Sequence, residues 1–377
     1  MIRLGILGGG QLAQMTIQSA IALGIETVIF ERKPDSPASR LTHHNVVGEW
    51  TDDDVLNQFT ELCDVITLEN EFVDAEVLVK LESMGLPVYP SSHTLGSIQD
   101  KLKQKRLMFD VGIPVPKFHA VDSPDQIISY VEELGLPMIL KARRNGYDGY
   151  GNATINKLND VLPAWEKLGG HEGRELLVEQ FVPFTKELAV MVLRGRDGEV
   201  QAYPIVETIQ KNHICHVVLA PADSPHDVMA KAQNIAKQAV EAVDGVGVFG
   251  VELFLLENGE ILFNEMAPRP HNSGHYTIEG CVTSQFENHM RAVLGWSLGS
   301  TEMVNPCAVM VNILGERQGT TRADGIADAL SVPNAHVHIY GKRDVRVGRK
   351  MGHVTVLGDS LDEAEKRARQ AVELINL

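Results

Sequence analysis

Cysteine and long apolar runs are both scarce in this 377-residue sequence. The four cysteines, Cys63, Cys215, Cys281 and Cys307, form no C-x-x-C pair and lack the spacing of zinc ligands. The sequence therefore predicts neither a disulfide framework nor a zinc site, as is typical of proteins in a reducing compartment. No apolar run is long enough to span a bilayer, and the run at 2–7 is too short for a signal peptide. We expect a cytoplasmic protein that binds no membrane.

Basic residues are also scarce, because 34 Lys and Arg stand against 50 Asp and Glu, a formal net charge of −16. Such a chain repels nucleic acids unless a basic patch is strongly localised. The composition favours an enzyme acting on small molecules and argues against a nucleic-acid partner. One segment departs from the acidic average, since 342–350 contains five basic residues: Lys342, Arg343, Arg346, Arg349 and Lys350. This segment is either a solvated charged face or an anion site.

The pattern of apolar runs divides the chain into three parts. Short apolar runs alternate with helical patterns over the first 90 residues, which predicts a parallel α/β sheet. A lysine-rich helix begins near residue 100, and strands flank a helix after about 300. We predict an α/β and α+β protein with a Rossmann-like domain at 1–100, a central domain at 101–300 and a small α+β domain at 301–377. A smaller lobe of the central domain covers about 115–185.

The glycine-rich start fits a dinucleotide-binding turn. Residues 8–13 match G-x-G-x-x-A between a strand and a helix, and Glu31 follows about twenty residues later, where such folds place a ribose-binding acid. The alternative is that the glycines only permit a tight turn, which leaves the helix N-terminus able to hold any phosphate. A better nucleotide site later in the chain argues against hydride chemistry.

A hairpin brings two carboxylates together. Asn258-Gly259 between two apolar strands predicts a two-residue turn, in which opposed residue numbers sum to 517. Glu252 and Glu265 then face each other with Cβ atoms roughly 5 Å apart. Such a pair is either a solvated face or a site for magnesium, which binds carboxylate and phosphate oxygens. We expect the magnesium site.

A second glycine-rich loop follows a strand that ends in Lys141. Three glycines occur in the six residues 146–151, so the backbone can fold over phosphates beside lysine and arginine charge. The loop lacks G-x-x-x-x-G-K-[ST] and is not a Walker loop. It precedes Glu179, Glu187 and the carboxylate hairpin in that order.

This order of motifs resembles the ATP-grasp superfamily, and its details resemble the family of 5-(carboxyamino)imidazole ribonucleotide synthases of purine biosynthesis. The resemblance covers nearly the whole chain. Its specific parts are the start at 8–12, the loop at 146–151 and, above all, N-E-M-A-P-R-P-H-N-S-G-H at 264–275. It implies an ATP-grasp fold with an N-terminal pre-ATP-grasp domain and a C-terminal cap. The implied reaction joins ATP, bicarbonate and 5-aminoimidazole ribonucleotide through carboxyphosphate, with Mg²⁺ as the metal.

The resemblance also implies site residues. Magnesium would bind to Glu252 and Glu265, and the catalytic residues would be Arg269, His271, Asn272 and Lys342. ATP would contact Lys101, Lys141, Gly146, Tyr147, Asp148, Gly149, Tyr150, Gly151, Asn152, Glu179, Gln180, Phe181, Val182, Glu187, Gln210, Asn264 and Glu265. The ribonucleotide would contact Gln11, Leu12, Ser36, Glu71, Tyr147, Asp148, Lys342 and Arg349, with Glu71 preferred to Glu69 by alignment alone.

Three alternatives stay open from the sequence. Tyr150 stands where the family often has arginine, which keeps an ATP-grasp ligase with another acceptor in view, and His271 could be a structural histidine. A nucleotide-binding protein without activity is disfavoured by the intact carboxylate pair and lysines. The resemblance further suggests a homodimer. Because the sequence ends at Leu377, we expect the product to pass to a separate mutase.

Overall fold

The computed structural model describes residues 2–146, 151–211 and 213–377. A four-stranded parallel sheet of order β3-β2-β1-β4 forms the N-terminal part. Its elements are β1 (Arg3–Leu7), α1 (Gln11–Ala22), β2 (Glu26–Glu31), β3 (His44–Val47), α2 (Asp53–Glu61), β4 (Val65–Leu68) and α3 (Ala75–Ser83). The strands are apolar on both faces because helices cover both sides, as parallel sheets require. The predicted parallel α/β class is confirmed, and residues 87–89 contribute only a bridge between Ile66 and Val88.

An antiparallel lobe of order β5-β8-β6-β7 follows two connecting helices. Ser91 and Asp100 cap these helices by accepting backbone N–H groups, which sets where each helix begins. The elements are α4 (Ser92–Ile98), α5 (Lys101–Asp110), β5 (Phe118–Val121), α6 (Pro124–Ser129), α7 (Val131–Leu134), β6 (Met138–Ala142), β7 (Asn152–Ile155), α8 (Val161–Lys167) and β8 (Leu176–Gln180).

One large sheet carries the rest of the chain in the order β14-β13-β9-β11-β12-β15-β19-β17, with β10 beside β9. Its strands and helices are β9 (Phe184–Arg194), β10 (Val200–Ala202), β11 (Val206–Lys211), β12 (Ile214–Ala220), α9 (His226–Ala242), β13 (Gly247–Leu256), β14 (Ile261–Ala267), α10 (Thr277–Gly280), α11 (Gln285–Leu294), β15 (Cys307–Leu314), α12 (Ile326–Ala329), β17 (Ala335–Ile339), β19 (Lys350–Gly358) and α13 (Leu361–Glu373). A separate pair joins β16 (Gly319–Thr320) and β18 (Asp344–Val345).

The C-terminal strands extend the central sheet, because β15 pairs with β12 from Val217–Val311 to Ala220–Ala308. This pairing places the basic segment 342–350 beside the central strands. The boundary predicted near residue 300 stays a prediction. Across the described ranges, no helix combines the length and the apolar character needed to cross a membrane.

The β13–β14 hairpin contradicts the predicted two-residue turn. Gly259 has φ of 79°, and the Leu256 N–H donates to the Glu260 carbonyl across a three-residue loop. Near the turn, the numbers of residues that lie opposite each other therefore sum to 516, as for Leu253 and Phe263. A register shift beyond Leu253 then restores the sum of 517 and sets Glu252 opposite Glu265. The predicted carboxylate pair is confirmed because the two one-residue shifts cancel.

Candidate active site

A cleft of about 1350 Å³ opens where the parallel sheet, the antiparallel lobe and the large sheet meet. Most of the predicted site residues line it. They are Gln11, Leu12, Glu71, Lys101, Gly146, Asn152, Glu187, Gln210, Glu252, Asn264, Glu265, Arg269, His271, Asn272, Lys342 and Arg349. Residues that are far apart in the sequence therefore share one cavity.

The other predicted residues fall into two groups. Tyr147, Asp148, Gly149 and Tyr150 fall outside the described residues. The remainder, which do not line the cleft, are Ser36, Lys141, Gly151, Glu179, Gln180, Phe181 and Val182. Their predicted contacts with ATP or ribonucleotide stay predictions.

Ser36 is buried against the glycine-rich turn. A Cβ on Gly9 would come within 2.4 Å of the Ser36 Oγ, which also accepts the Ser39 N–H. The Gly9 N–H donates to Glu31 at 2.8 Å, so this carboxylate is used inside the protein. Glu69 accepts the Ala13 N–H near the start of α1, and burial raises the pKa of Glu69. Two carboxylates thus lie where a dinucleotide fold would hold pyrophosphate, which argues against hydride chemistry.

The facing carboxylates of β13 and β14 line the part of the cleft that is predicted to bind ATP, which we call the nucleotide end. The Lys101 ammonium contacts Glu265, and the Asn264 amide approaches Glu252 at 3.4 Å. Within the described ranges, no three or more His, Cys, Asp or Glu side chains form a group suited to a metal ion. Two carboxylates on a cleft wall instead fit Mg²⁺, which completes its shell with phosphate oxygens and water.

A buried ion cluster supports the lysines beside this pair. Glu179 lies between two ammonium groups, Lys105 Nζ at 3.2 Å and Lys141 Nζ at 2.8 Å. Lys141 also reaches the Asn264 side-chain oxygen at 3.4 Å. Burial lowers the pKa of Lys105 to about 8, and burial together with the Lys141 charge lowers that of Lys101 to about 8. The cluster places a net positive charge beside Asn264, which lines the cleft.

Sequence reasoning missed Lys105. Lys101 and Lys105 both lie on α5 and are four residues apart, so a helical repeat places them on one face. That spacing was the signal that could have found Lys105.

Glu187 lies on β9 opposite Thr208 and Phe254 in the neighbouring strands. Burial and the nearby Glu252 charge raise the pKa of Glu187 to about 7, and a hydrogen bond with Gln210 opposes this shift. The pair presents carboxylate and amide groups to the cleft, and the predicted contacts of Glu187 and Gln210 with ATP stay predictions.

An ion pair lies in the part of the cleft wall that carries the predicted catalytic residues, which we call the middle of the cleft. The Arg269 guanidinium contacts both carboxylate oxygens of Glu71, with Nη2 at 2.8 Å from Oε1. Although burial opposes the effect, this cation holds the pKa of Glu71 below its usual range. The structure thus connects Glu71 to the predicted catalytic residue Arg269 and places Glu69 at the glycine-rich turn.

His271 and Asn272 follow in the same wall. His271 Nδ1 lies 2.7 Å from the Ser273 hydroxyl, and its Nε2 lies 3.7 Å from Glu252. Asn272 exchanges two amide hydrogen bonds with Asn312 of β15, at 2.9 and 2.7 Å. Asn312 was not predicted, because nothing in the sequence marks one buried asparagine as the neighbour of another strand's loop.

The basic segment also lines the cleft, and we call this part of the cleft the basic end. Lys342 is buried, and its ammonium donates to the Lys350 carbonyl at 2.6 Å. Arg349 donates to the Asp344 carbonyl at 2.7 Å, and burial together with Arg346 lowers the pKa of Arg349. Lys342 and Arg349 therefore belong to the cleft wall, whereas a purely solvated face would leave both exposed.

Comparisons with known proteins cover the chain from end to end. An ATP-grasp domain model matches residues 106–286, a ribonucleotide synthetase preATP-grasp domain model matches 1–99, and a phosphoribosylaminoimidazole carboxylase C-terminal domain model matches 308–367. The phosphoribosylaminoimidazole carboxylase of Vigna aconitifolia is 42% identical over 96% of this chain. The chain spans only 65% of that relative's length.

Two further relatives match over almost their whole length. The N5-carboxyaminoimidazole ribonucleotide synthase of Synechococcus elongatus is 39% identical over 98% of this chain and 93% of its own. The N5-carboxyaminoimidazole synthase of Aspergillus clavatus, solved with ADP and 5-aminoimidazole ribonucleotide, is 38% identical with a TM-score of 0.90, covering 99% and 98% of the chains. The predicted fold and family are confirmed. This chain belongs to the N5-carboxyaminoimidazole ribonucleotide synthase family of ATP-grasp enzymes.

Proposed function

We propose that this protein uses ATP to carboxylate 5-aminoimidazole ribonucleotide with bicarbonate, in purine biosynthesis. The products are 5-(carboxyamino)imidazole ribonucleotide, also called N5-carboxyaminoimidazole ribonucleotide, with ADP and phosphate. One observation carries the proposal. The carboxylate pair, Arg269 and His271, and Lys342 and Arg349 all line a single cleft.

The nucleotide end suits phosphoryl transfer. Lys101 and the Lys105–Glu179–Lys141 cluster supply positive charge for the ATP phosphates. Glu252 and Glu265 would hold Mg²⁺, which neutralises charge on the transferred phosphoryl group. The residues of this end bind and align the nucleotide, because positioning and charge stabilisation supply most of the catalysis in this class of reaction.

The middle of the cleft suits an anionic intermediate. A bicarbonate oxygen attacks the γ-phosphorus, the bond to ADP breaks, and carboxyphosphate forms. Arg269 offers a guanidinium fixed by Glu71, and His271 and Asn272 offer polar groups fixed by Ser273 and Asn312. Groups already held in place stabilise developing charge without reorganisation during the reaction.

The basic end suits the acceptor. Lys342 and Arg349 anchor the phosphate of 5-aminoimidazole ribonucleotide, so that its amine faces the carboxyl carbon in the middle of the cleft. The amine forms a bond to that carbon, phosphate leaves with the bridging oxygen, and the amine loses a proton. Closure of the loop at 146–152 over the phosphates stays a prediction of the sequence.

We also propose three properties that no contact described above tests. The protein acts in the cytoplasm as a homodimer, and a separate mutase consumes its product. Equilibrium sedimentation would test the dimer, and a mass equal to one chain at micromolar concentration would contradict it.

Phosphate release from MgATP and bicarbonate, measured with and without 5-aminoimidazole ribonucleotide, tests the function. We expect strong stimulation by the ribonucleotide together with one carboxylated product per phosphate. Hydrolysis of ATP that is indifferent to the ribonucleotide would contradict the acceptor, and absence of MgATP binding would contradict the whole proposal.

A further inference from the structure

The side chain of Gln285 lies behind the catalytic wall. Gln285 is the first residue of α11 and has no exposed surface. Its backbone N–H donates to the Thr277 hydroxyl at 2.9 Å, which fixes the start of the helix. The side chain therefore projects from a rigid point towards the segment 271–275.

One amide of Gln285 holds this segment at two residues. Its Oε1 accepts the His271 N–H at 3.0 Å, and its Nε2 donates to the His271 carbonyl at 2.8 Å. The same Nε2 lies 3.0 Å from His275 Nδ1. Because Oε1 accepts a backbone N–H, the orientation of the amide is determined, and His275 Nδ1 is the acceptor.

The neighbouring glycine confirms how closely the amide approaches. A Cβ on Gly274 would lie 2.4 Å from Gln285 Oε1, so a larger residue there would displace the amide. The serine and glycine that follow His271 and Asn272 thus have separate tasks, since Ser273 contacts the imidazole and Gly274 makes room for Gln285.

We propose that Gln285 is a positioning residue that fixes the backbone of His271 so that carboxyphosphate transfers its carboxyl group before water destroys it. The inference rests on the proposed function and deepens it. Gln285 does not touch the cleft; it acts through both backbone polar groups of a residue that lines it. When the Gln285 amide is removed, the part of the cleft wall that carries Arg269 and His271 shifts, while the nucleotide end stays in place.

The expected consequence is uncoupling. A misplaced pocket still allows bicarbonate to attack ATP but holds carboxyphosphate poorly, so that water hydrolyses it to bicarbonate and phosphate. A displacement of about 1 Å at a reacting centre can lower a rate roughly a hundredfold. We therefore expect more ADP per molecule of product, a higher KM for bicarbonate and an unchanged KM for MgATP.

Two substitutions test the proposal. Gln285→Glu keeps the shape but points a second acceptor at the His271 carbonyl and at His275. Gln285→Met keeps the length without burying a charge or making hydrogen bonds. For both, we expect the ratio of ADP to carboxylated product to rise roughly tenfold.

The matched control is Asn288→Asp on the same helix. Asn288 is equally buried, accepts the Gly299 N–H at 2.7 Å and donates to the Gly299 carbonyl at 3.2 Å. Its amide also donates to the Tyr203 hydroxyl at 2.8 Å. The control thus breaks a similar pair of hydrogen bonds to the backbone of Gly299, which does not line the cleft. It should lower thermal stability while leaving the ADP-to-product ratio near one.

The outcomes separate the two claims. A wild-type ratio in both Gln285 variants, or the same rise in Asn288→Asp, overturns the positioning role and leaves the proposed function intact. Wild-type protein that forms no carboxylated ribonucleotide overturns both. A rise confined to the Gln285 variants, with KM for MgATP unchanged, supports the proposal.

Discussion

Replacing Lys105 by methionine should make the protein more stable and a weaker ATP binder. Its side chain is only 2% exposed, and its ammonium contacts Glu179 and the Asn264 carbonyl. Glu179 keeps a second partner, Lys141 at 2.8 Å, when Lys105 is removed. Lys105 is the more distant of the two cations, and its removal leaves Glu179 paired.

The magnitude follows from the pKa. A fall in the pKa of Lys105 from 10.5 to about 8 corresponds to about 3 kcal/mol by which folding disfavours the charged ammonium. Loss of the hydrogen bond to the Asn264 carbonyl lowers this gain in stability by about 1 kcal/mol. The net expectation is a gain of about 2 kcal/mol in the free energy of unfolding at pH 7. Removing one partner of a buried pair destabilises by about 3–5 kcal/mol when it leaves the other charge unpaired, but Lys141 still neutralises Glu179.

Activity should move in the opposite direction. With Lys105 absent, Glu179 attracts Lys141 alone and draws it from the phosphates. A loss of about 1 kcal/mol in phosphate binding raises the KM for MgATP about fivefold. The protein would thus hold a destabilising cation because the nucleotide end requires its charge.

Urea titration and steady-state kinetics check both effects. Lys103→Met is the matched control, because Lys103 is exposed on the same helix and should change neither quantity. A Lys105→Met variant that is less stable than the Lys103 control would refute the reasoning, since the ion pair would then outweigh the burial of the ammonium.

Three further results are expected. The free energy of unfolding of the wild type should rise between pH 8 and 10.5, because in this range the folded state loses the Lys105 proton while the unfolded chain keeps it. Lys105→Met should make this rise smaller. Identical pH profiles of stability in the two proteins would contradict the expectation. Glu265→Gln should raise the Mg²⁺ concentration that gives half-maximal rate roughly tenfold, whereas Glu257→Gln at the exposed hairpin loop should not, as a magnesium titration would show. Arg349→Met should raise the KM for 5-aminoimidazole ribonucleotide roughly tenfold or more without changing the KM for MgATP. Arg343 is exposed, and an equal effect of Arg343→Met would argue that Arg349 does not anchor the phosphate.

The sequence predicts most of the site where residue types cluster along the chain. The run at 264–275 lines the cleft through Asn264, Glu265, Arg269, His271 and Asn272. Asn264 is the extra residue at the register shift, which lets it face the cavity together with Glu265, and the loop after the strand continues along the same wall. The hairpin shows the limit of such reasoning. Asn-Gly favours a two-residue turn, but a glycine with positive φ equally serves a three-residue loop, so turn chemistry alone leaves the register uncertain by one residue.

The sequence did not predict which side chains far apart in the chain contact each other. Glu71 meets Arg269 across 198 residues, and Asn272 meets Asn312 across 40. Neither pairing has a local period or spacing that a sequence reader can use. The sequence also did not predict that the C-terminal strands join the central sheet. Strand order depends on which edge of the sheet the chain reaches after long connections.

Transfer of oxygen from ¹⁸O-labelled bicarbonate to phosphate tests the central claim most directly. Carboxyphosphate leaves one bicarbonate oxygen on the phosphate when its carboxyl group moves to the amine. With MgATP and 5-aminoimidazole ribonucleotide present, mass spectrometry of the released phosphate should show one ¹⁸O atom for each molecule of carboxylated product. Phosphate without label, formed together with that product, would contradict phosphoryl transfer to bicarbonate in this cleft.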